Sequence, residues 1–185
     1  MVEERLDFDF TKISEDVIKA KPKFTHEKQT QGQLVTAIAD EIRNLVKDIP
    51  FPGKDGTYKT MTVYEQMEPY YEDDEDEDDK YPYCVVKYVS SKITGISQRE
   101  EVTIVAGFGI MYEEADRQYA PYFFHIFNLI RKRFISDNFL NNFRCEPEMS
   151  FALSDNDDIR YPYYFGAVYM KWMIPGIDSE IDFWT

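Results

Sequence analysis

Apolar positions recur at helical spacing in two stretches of the chain and alternate in four others. Between Gln31 and Lys47, Leu34, Val35, Ile38, Ala39, Ile42, Leu45 and Val46 share one face, while Gln33, Asp40, Glu41, Arg43 and Asn44 cover the other. That spacing predicts a helix, stopped by Pro50 and Pro52. A second helix is predicted from Pro121, a residue suited to a first turn, to about Ile135. Its buried stripe is Phe123, Ile126, Phe127, Ile130 and Phe134. Arg131, Lys132 and Arg133 crowd its last turn, where cations complement the helix dipole, and Asp137-Asn138 ends it.

The alternating stretches read as strands. Tyr83–Val89 is β-rich, and Glu101–Tyr112 places Val102, Ile104, Ala106, Phe108, Ile110 and Tyr112 on one face. Gly107 and Gly109 share the opposite face, where a backbone or a helix is expected to come close. Ser90–Arg99, with Gly95 near its middle, joins the two as an antiparallel pair. Phe143–Leu153 alternates as well, and Pro147 within it predicts an edge strand or a bulge. Tyr163–Ile174 carries aromatics on both faces, which suits a central strand or one covered by something outside the monomer.

The order helix, strand, strand, helix, strand, strand predicts an α+β fold. We expect an antiparallel or mixed sheet of about four main strands with two main helices packed on one face. Residues 30–175 form a single domain in this reading. Residues 1–29 are a polar N-terminal extension with a short helical stretch around Ser14–Ala20, and 176–185 are a C-terminal tail. Ile181-Asp182-Phe183-Trp184-Thr185 within that tail is either a strand end on this domain, the preferred reading, or an arm that docks on a neighbour. Phe51–Lys80, with Pro52-Gly53 and Asp55-Gly56, reads as an irregular, solvated acidic loop.

Charge narrows the function classes. With 185 residues the chain suits one domain, and 43% hydrophobic residues make it globular. The formal charge of -14 opposes a generic grip on nucleic acid and docking on an anionic membrane. Eight of those negative charges stand in one run, Glu72, Asp73, Asp74, Glu75, Asp76, Glu77, Asp78 and Asp79. This run is either a solvated loop that aids solubility, or a surface that repels passing DNA or fits a basic partner. Apolar stretches are broken by charge well short of the roughly 20 residues a bilayer requires. MVEERLDFDF at the start lacks the basic and apolar regions of a signal peptide, so synthesis in a cytoplasm is expected.

Candidate chemistry changes the picture little. Cys84 and Cys145 lack CxxC partners, and two small reduced side chains in strands are expected. His125 belongs to a helix flank, and neither it nor His26 has the neighbours of a nucleophile pair. Gly107-Phe108-Gly109 lies inside a strand and has Tyr112 where a dinucleotide fingerprint needs its third glycine. Asp155-Asn156-Asp157-Asp158 has Arg160 and Gly166 where a calcium loop needs Gly and Glu, so a turn is the better reading. No enzyme, cofactor or defined metal site is expected.

From Tyr81 to Pro175 the order and texture of the chain resemble the tail terminator (tail completion) proteins of long-tailed phages, especially those of Gram-positive hosts. The resemblance rests on Tyr81-Pro82-Tyr83-Cys84-Val85-Val86 after an acidic stretch and the β-run Val102–Phe108. It continues in Asn128-Leu129-Ile130-Arg131-Lys132-Arg133, Tyr161-Pro162-Tyr163-Tyr164-Phe165-Gly166 and Trp172-Met173-Ile174-Pro175. The two Tyr-Pro-Tyr steps, each leading a strand, and the closing Trp-x-x-Pro are its most specific parts. The resemblance implies a non-enzymatic virion protein: a hexameric ring that caps the tail tube, stops its polymerisation and offers a head-joining surface. Its partners would be other copies of itself, the tail tube protein and a head-connector or neck protein, with DNA only passing through the lumen. A long lead-in before Gln31, a long Ser90–Arg99 connection and a tail beyond Pro175 depart from the pattern. They are read either as subunit-contact elements peculiar to this protein or as signs of a sibling role as a head-tail connector or neck protein. From another class, an acidic DNA-mimic inhibitor would suit the charge, but its acids should be spaced like phosphates instead of bunched.

Overall fold

A computed structural model describes residues 30–68, 77–93, 99–114, 116–154 and 161–175. The extension 1–29, most of the acid run (72–76), the Asp155–Asp158 turn and the tail 176–185 lie outside the described residues. The chain is α+β. Helix α1 spans Gln31–Val46 and is followed by the short strands β1 (Pro50–Pro52), β2 (Tyr58–Thr60) and β3 (Thr62–Glu65). The long strands β4 (Tyr83–Ile93) and β5 (Glu100–Met111) come next, then helix α2 (Ala120–Ser136), β6 (Phe139–Leu140), β7 (Phe143–Leu153) and β8 (Tyr163–Ile174).

Helix α1 starts at a reciprocal cap. The Thr30 hydroxyl accepts from the Gln33 backbone N–H at 3.3 Å, and the Gln33 side chain accepts from the Thr30 N–H at 2.9 Å. The predicted stripes are the buried ones: Leu34, Val35, Ile38, Ala39, Ile42 and Val46 on α1, and Phe123, Ile126, Phe127, Ile130 and Phe134 on α2. The helices are also tied to each other, because the Arg133 guanidinium donates to Glu41. Arg133 further donates to the carbonyls of Asp137 at 2.6 Å and Phe139 at 3.4 Å, closing the end of α2.

The main sheet has six strands in the order β3-β4-β5-β8-β7-β6, two more than the four expected from the alternation. It is mixed, since β3 runs parallel to β4 while the other pairs are antiparallel. Strand β8 is central, between β5 and β7; one of its faces is buried and the other is half-buried, with Tyr169 exposed. Val102, Ile104, Ala106, Phe108 and Ile110 of β5 and Tyr164, Val168, Met170, Trp172 and Ile174 of β8 belong to one buried cluster with both helical stripes. The Phe134 ring meets Trp172 edge-on at 5.0 Å, and Phe127 meets Phe108 at 6.4 Å.

Strand β7 pairs with β6 only at Phe143 and Arg144, and its register against β8 shifts between Cys145 and Met149. Pro147 sits in that irregularity, as its missing N–H requires.

Two expectations are corrected. Residues 51–80 are not a wholly irregular loop: β1 and β2 form a small antiparallel sheet, and β3 joins the main one. Phe51, Met61 and Val63 are buried there, and elements this short carry too few residues to show a period. Asp55 and Gly56, with φ of 56° and 65°, make the turn between β1 and β2. The glycine expectation also needs correction. A Cβ on Gly107 would meet nothing within 4 Å, whereas one on Gly109 would lie 2.6 Å from the Tyr83 ring. The close neighbour is therefore an aromatic side chain and not a backbone or a helix.

Candidate functional site at the acidic turn

The two Tyr-Pro-Tyr steps lie far apart in sequence and meet in space. Strand β5 runs between β4 and β8, and Gly109 is paired with Tyr83 on one side and Phe165 on the other. The strand starts at Tyr83 and Tyr163 therefore stand at the same end of the sheet. Both preceding bonds, Tyr81-Pro82 and Tyr161-Pro162, are cis. The Tyr81 ring packs 5.2 Å from Tyr83, 5.1 Å from Tyr163 and 6.4 Å from Phe165. Only a glycine at 109 leaves space for the Tyr83 ring over the strand.

The acid run ends on this aromatic platform. Glu77–Lys80 form one turn of 3-10 helix. The Tyr163 hydroxyl donates to the Asp78 carboxylate at 2.6 Å, the length of a charge-assisted bond. Lys59 of β2 lies 3.3 Å from Asp79. Lys80 reaches back over the rings, its ammonium 5.6 Å from the Tyr81 centroid and 5.9 Å from that of Tyr83, and pairs with Glu68 at 3.6 Å. Of the eight candidate acids, Glu72, Asp73, Asp74, Glu75 and Asp76 lie outside the described residues, and Glu77 is described through its backbone. Asp78 and Asp79 are brought into the fold. At the C-terminal end of the run Asp78 is part-buried and accepts from the Tyr163 phenol, while Asp79 stays exposed beside Lys59.

Burial sets the protonation of the platform. The Tyr83 phenol is pushed up to about 12, first by desolvation and then by the Glu68 carboxylate. Tyr81 is raised further by the same cause, with Tyr83 adding to it. Both phenols stay neutral at physiological pH and act as hydrogen-bond groups and apolar surface.

The thiols are elsewhere. Cys84 and Cys145 are free and buried, and burial raises both, Cys145 to about 12. Protonated thiols at neutral pH are poor nucleophiles. Among the described residues no group of three or more His, Cys, Asp or Glu side chains is placed to hold a metal. No helix among them is long and apolar enough to cross a membrane.

Other parts of the quoted motifs serve the core. Ile130 and Trp172 are fully buried, while Asn128, Arg131 and Lys132 face outward on α2. Sequence reasoning missed the tie between Asp78 and Tyr163. Its signal was available in outline, since an acid run leads into one Tyr-Pro-Tyr step and a second such step recurs later. No family model matches the chain, and no curated protein matches it significantly.

Proposed function

We propose that the chain is a structural subunit of a phage tail: a tail terminator that assembles as a ring, caps the tail tube, stops its growth and presents a head-joining surface. The observation that carries this reading is the convergence of the two Tyr-Pro-Tyr steps, the most specific parts of the resemblance, at one sheet end beside the acidic turn. A ring subunit needs a rigid sheet and repeated head-to-tail contacts that close. In this reading the helices form a layer on one face of the sheet, and the other face and the sheet ends serve the contacts. The acidic turn borders the lumen, where fixed negative charge keeps a passing DNA backbone from adhering. The neighbouring copy and the tail tube are its partners, the head connector meets its other surface, and the action is assembly without catalysis.

Electron microscopy of particles made without the protein tests this directly. Tails of uncontrolled length, or tails that fail to join heads, are expected. Normal tails attached to filled heads would refute it. Native mass spectrometry of the purified chain, alone and with tail tube protein, reads ring formation independently.

A further inference from the structure

Two stretches of the main sheet have an edge to which no described strand is paired. β6 covers β7 only at Phe143 and Arg144, so Met149–Leu153 has β8 on one side alone. β3 covers β4 only from Tyr83 to Val86, so Val89–Ile93 has β5 on one side alone. The ladders fix where the backbone points. Ser154 donates to the Phe165 carbonyl at 3.0 Å, and alternate residues of an antiparallel strand bond to the same neighbour. Met149, Phe151 and Leu153 therefore turn their N–H and C=O groups outward. Tyr112 donates to the Pro162 carbonyl at 2.9 Å, so Glu101 and Thr103 of β5 bond to β4. Ser90 and Lys92 are engaged there, and Ser91 and Ile93 turn outward. Neither stretch carries the usual edge protection. Met149–Leu153 has no Pro, Gly or charge, and Val89 and Ile93 are 52% and 64% exposed. The β3 edge, by contrast, is closed by Arg43, which donates to the Val63 carbonyl at 3.0 Å.

We infer that these two stretches pair with each other between copies of this chain, β7 of one copy beside β4 of the next, in one continuous antiparallel sheet. Three features select a second copy as the occupant. The first is direction. Every step from β4 through β5 and β8 to β7 is antiparallel, so β4 and β7 point opposite ways. Copies standing side by side in one orientation then meet antiparallel, and the contact repeats head to tail. The second is facing. Met149, Phe151 and Leu153 set their side chains against the core, and Ser91 shares the face of its buried partner Val102. Joining the two edges therefore keeps one helix-covered face across the junction. The third is charge. With Ser91 opposite Met149, Lys92 falls opposite Glu148, whose carboxylate meets Lys171 at 2.9 Å and is still 78% exposed. Val89 then lies opposite Phe151. A twofold β7–β7 pair would leave the β4 stretch uncovered. The pairing stands on the sheet alone; that it closes into a ring rests on the terminator reading.

Disulfide trapping in the full-length protein tests it. In this register Ser90 and Ser150 of neighbouring copies are directly opposed without sharing hydrogen bonds, their Cα atoms about 4.5 Å apart. Within one chain they lie three strand spacings apart, about 14 Å, beyond the reach of a disulfide. Both are exposed, whereas the native Cys84 and Cys145 are buried. Oxidation of S90C/S150C in concentrated solution should give a ladder of covalent oligomers on a non-reducing gel. An equal mixture of S90C and S150C should stop at dimers, and each alone should give far fewer. K92E in the double-cysteine background should slow the ladder by up to about fivefold, and adding E148K should restore it. No ladder from S90C/S150C, dimers as abundant from S150C alone, or a faster ladder from S90C/A152C would overturn the inference. Native mass spectrometry separates the two readings. Rings that form without the cross-link would sink the pairing and leave the terminator standing, while a ladder of chains that never close would keep the pairing and sink the ring.

Discussion

Replacing Gly166 with Ala should destabilise the protein, while the same change at Gly107 should not. The two glycines lie mid-strand in adjacent strands, close to each other: Gly166 is paired with Phe108 and Gly107 with Ala167. Neither has positive φ, so alanine is compatible with both backbones. Their surroundings differ. A Cβ on Gly166 would lie 2.7 Å from Cδ1 and 3.0 Å from Cε1 of Phe123, and 3.1 Å from Cζ of Phe127. Favourable carbon contacts begin at about 3.5 Å, so the Phe123 ring must retreat by close to 0.8 Å. It has little room, being fully buried with Tyr119 edge-on at 6.1 Å and Phe127 at 6.2 Å. Overpacking of this kind costs about 1–3 kcal/mol, and the stiffer unfolded chain returns about 0.4–1 kcal/mol. Gly166→Ala should therefore lose about 1–2 kcal/mol net, and Gly107→Ala should gain up to about 1 kcal/mol. In urea titrations followed by circular dichroism the two midpoints should move in opposite directions. Tm should separate by roughly 2–4 °C for each kcal/mol. Equal midpoints would refute the close packing of α2 on β8.

Four further outcomes are expected. Tyr163→Phe removes the bond to Asp78 and should cost about 1.5–3 kcal/mol, whereas Asp79→Asn, which loses an exposed pair with Lys59, should cost less than about 1 kcal/mol in the same titration. Stability should be flat near neutrality and fall from about pH 9 to 12. The unfolded chain then releases protons from Cys145 and Tyr83, whose ordinary values are 9.0 and 10.0, that the fold retains up to about 12. Denaturant midpoints measured across that range check the sign. Ellman's reagent at pH 8 should modify neither cysteine in the native protein and both in urea; rapid native modification would contradict their burial. Arg133→Ala should lower stability by about 2 kcal/mol through loss of its part-buried link to Glu41 and of the α2 end contacts, and Glu41→Ala should then add little in a double-mutant cycle.

Much of the architecture is legible in the order of residues alone. Both helices follow the predicted stripes to within a residue or two at each end, because a face of this width can be buried in only one orientation. Phe143–Leu153 and Tyr163–Ile174 have the predicted bounds, since strands of 11 and 12 residues are long enough to show a period of two. Strand β4 runs on from Val89 to Ile93, with Val89 52% and Ile93 64% exposed. Ladder hydrogen bonds to β5 hold that stretch, and no burial pattern announced it. The short strands β1, β2 and β3 were invisible for the related reason that three or four residues hold at most two alternations.

Local spacing, backbone constraint and counting suffice for the α+β class, the faces of the helices, an edge or irregularity at Pro147 and the concentration of negative charge before Tyr81. They do not say which distant residues meet. The folded chain sets β3 parallel to β4, Tyr81 against Tyr163, and Asp78 under a phenol 85 positions away. Such pairings depend on strand order and register, which no local pattern encodes. The acid run shows the difference most clearly. Its charge is a property of composition, but whether a given carboxylate is solvated or held by a partner is a property of position, and for Asp78 the fold supplies the partner.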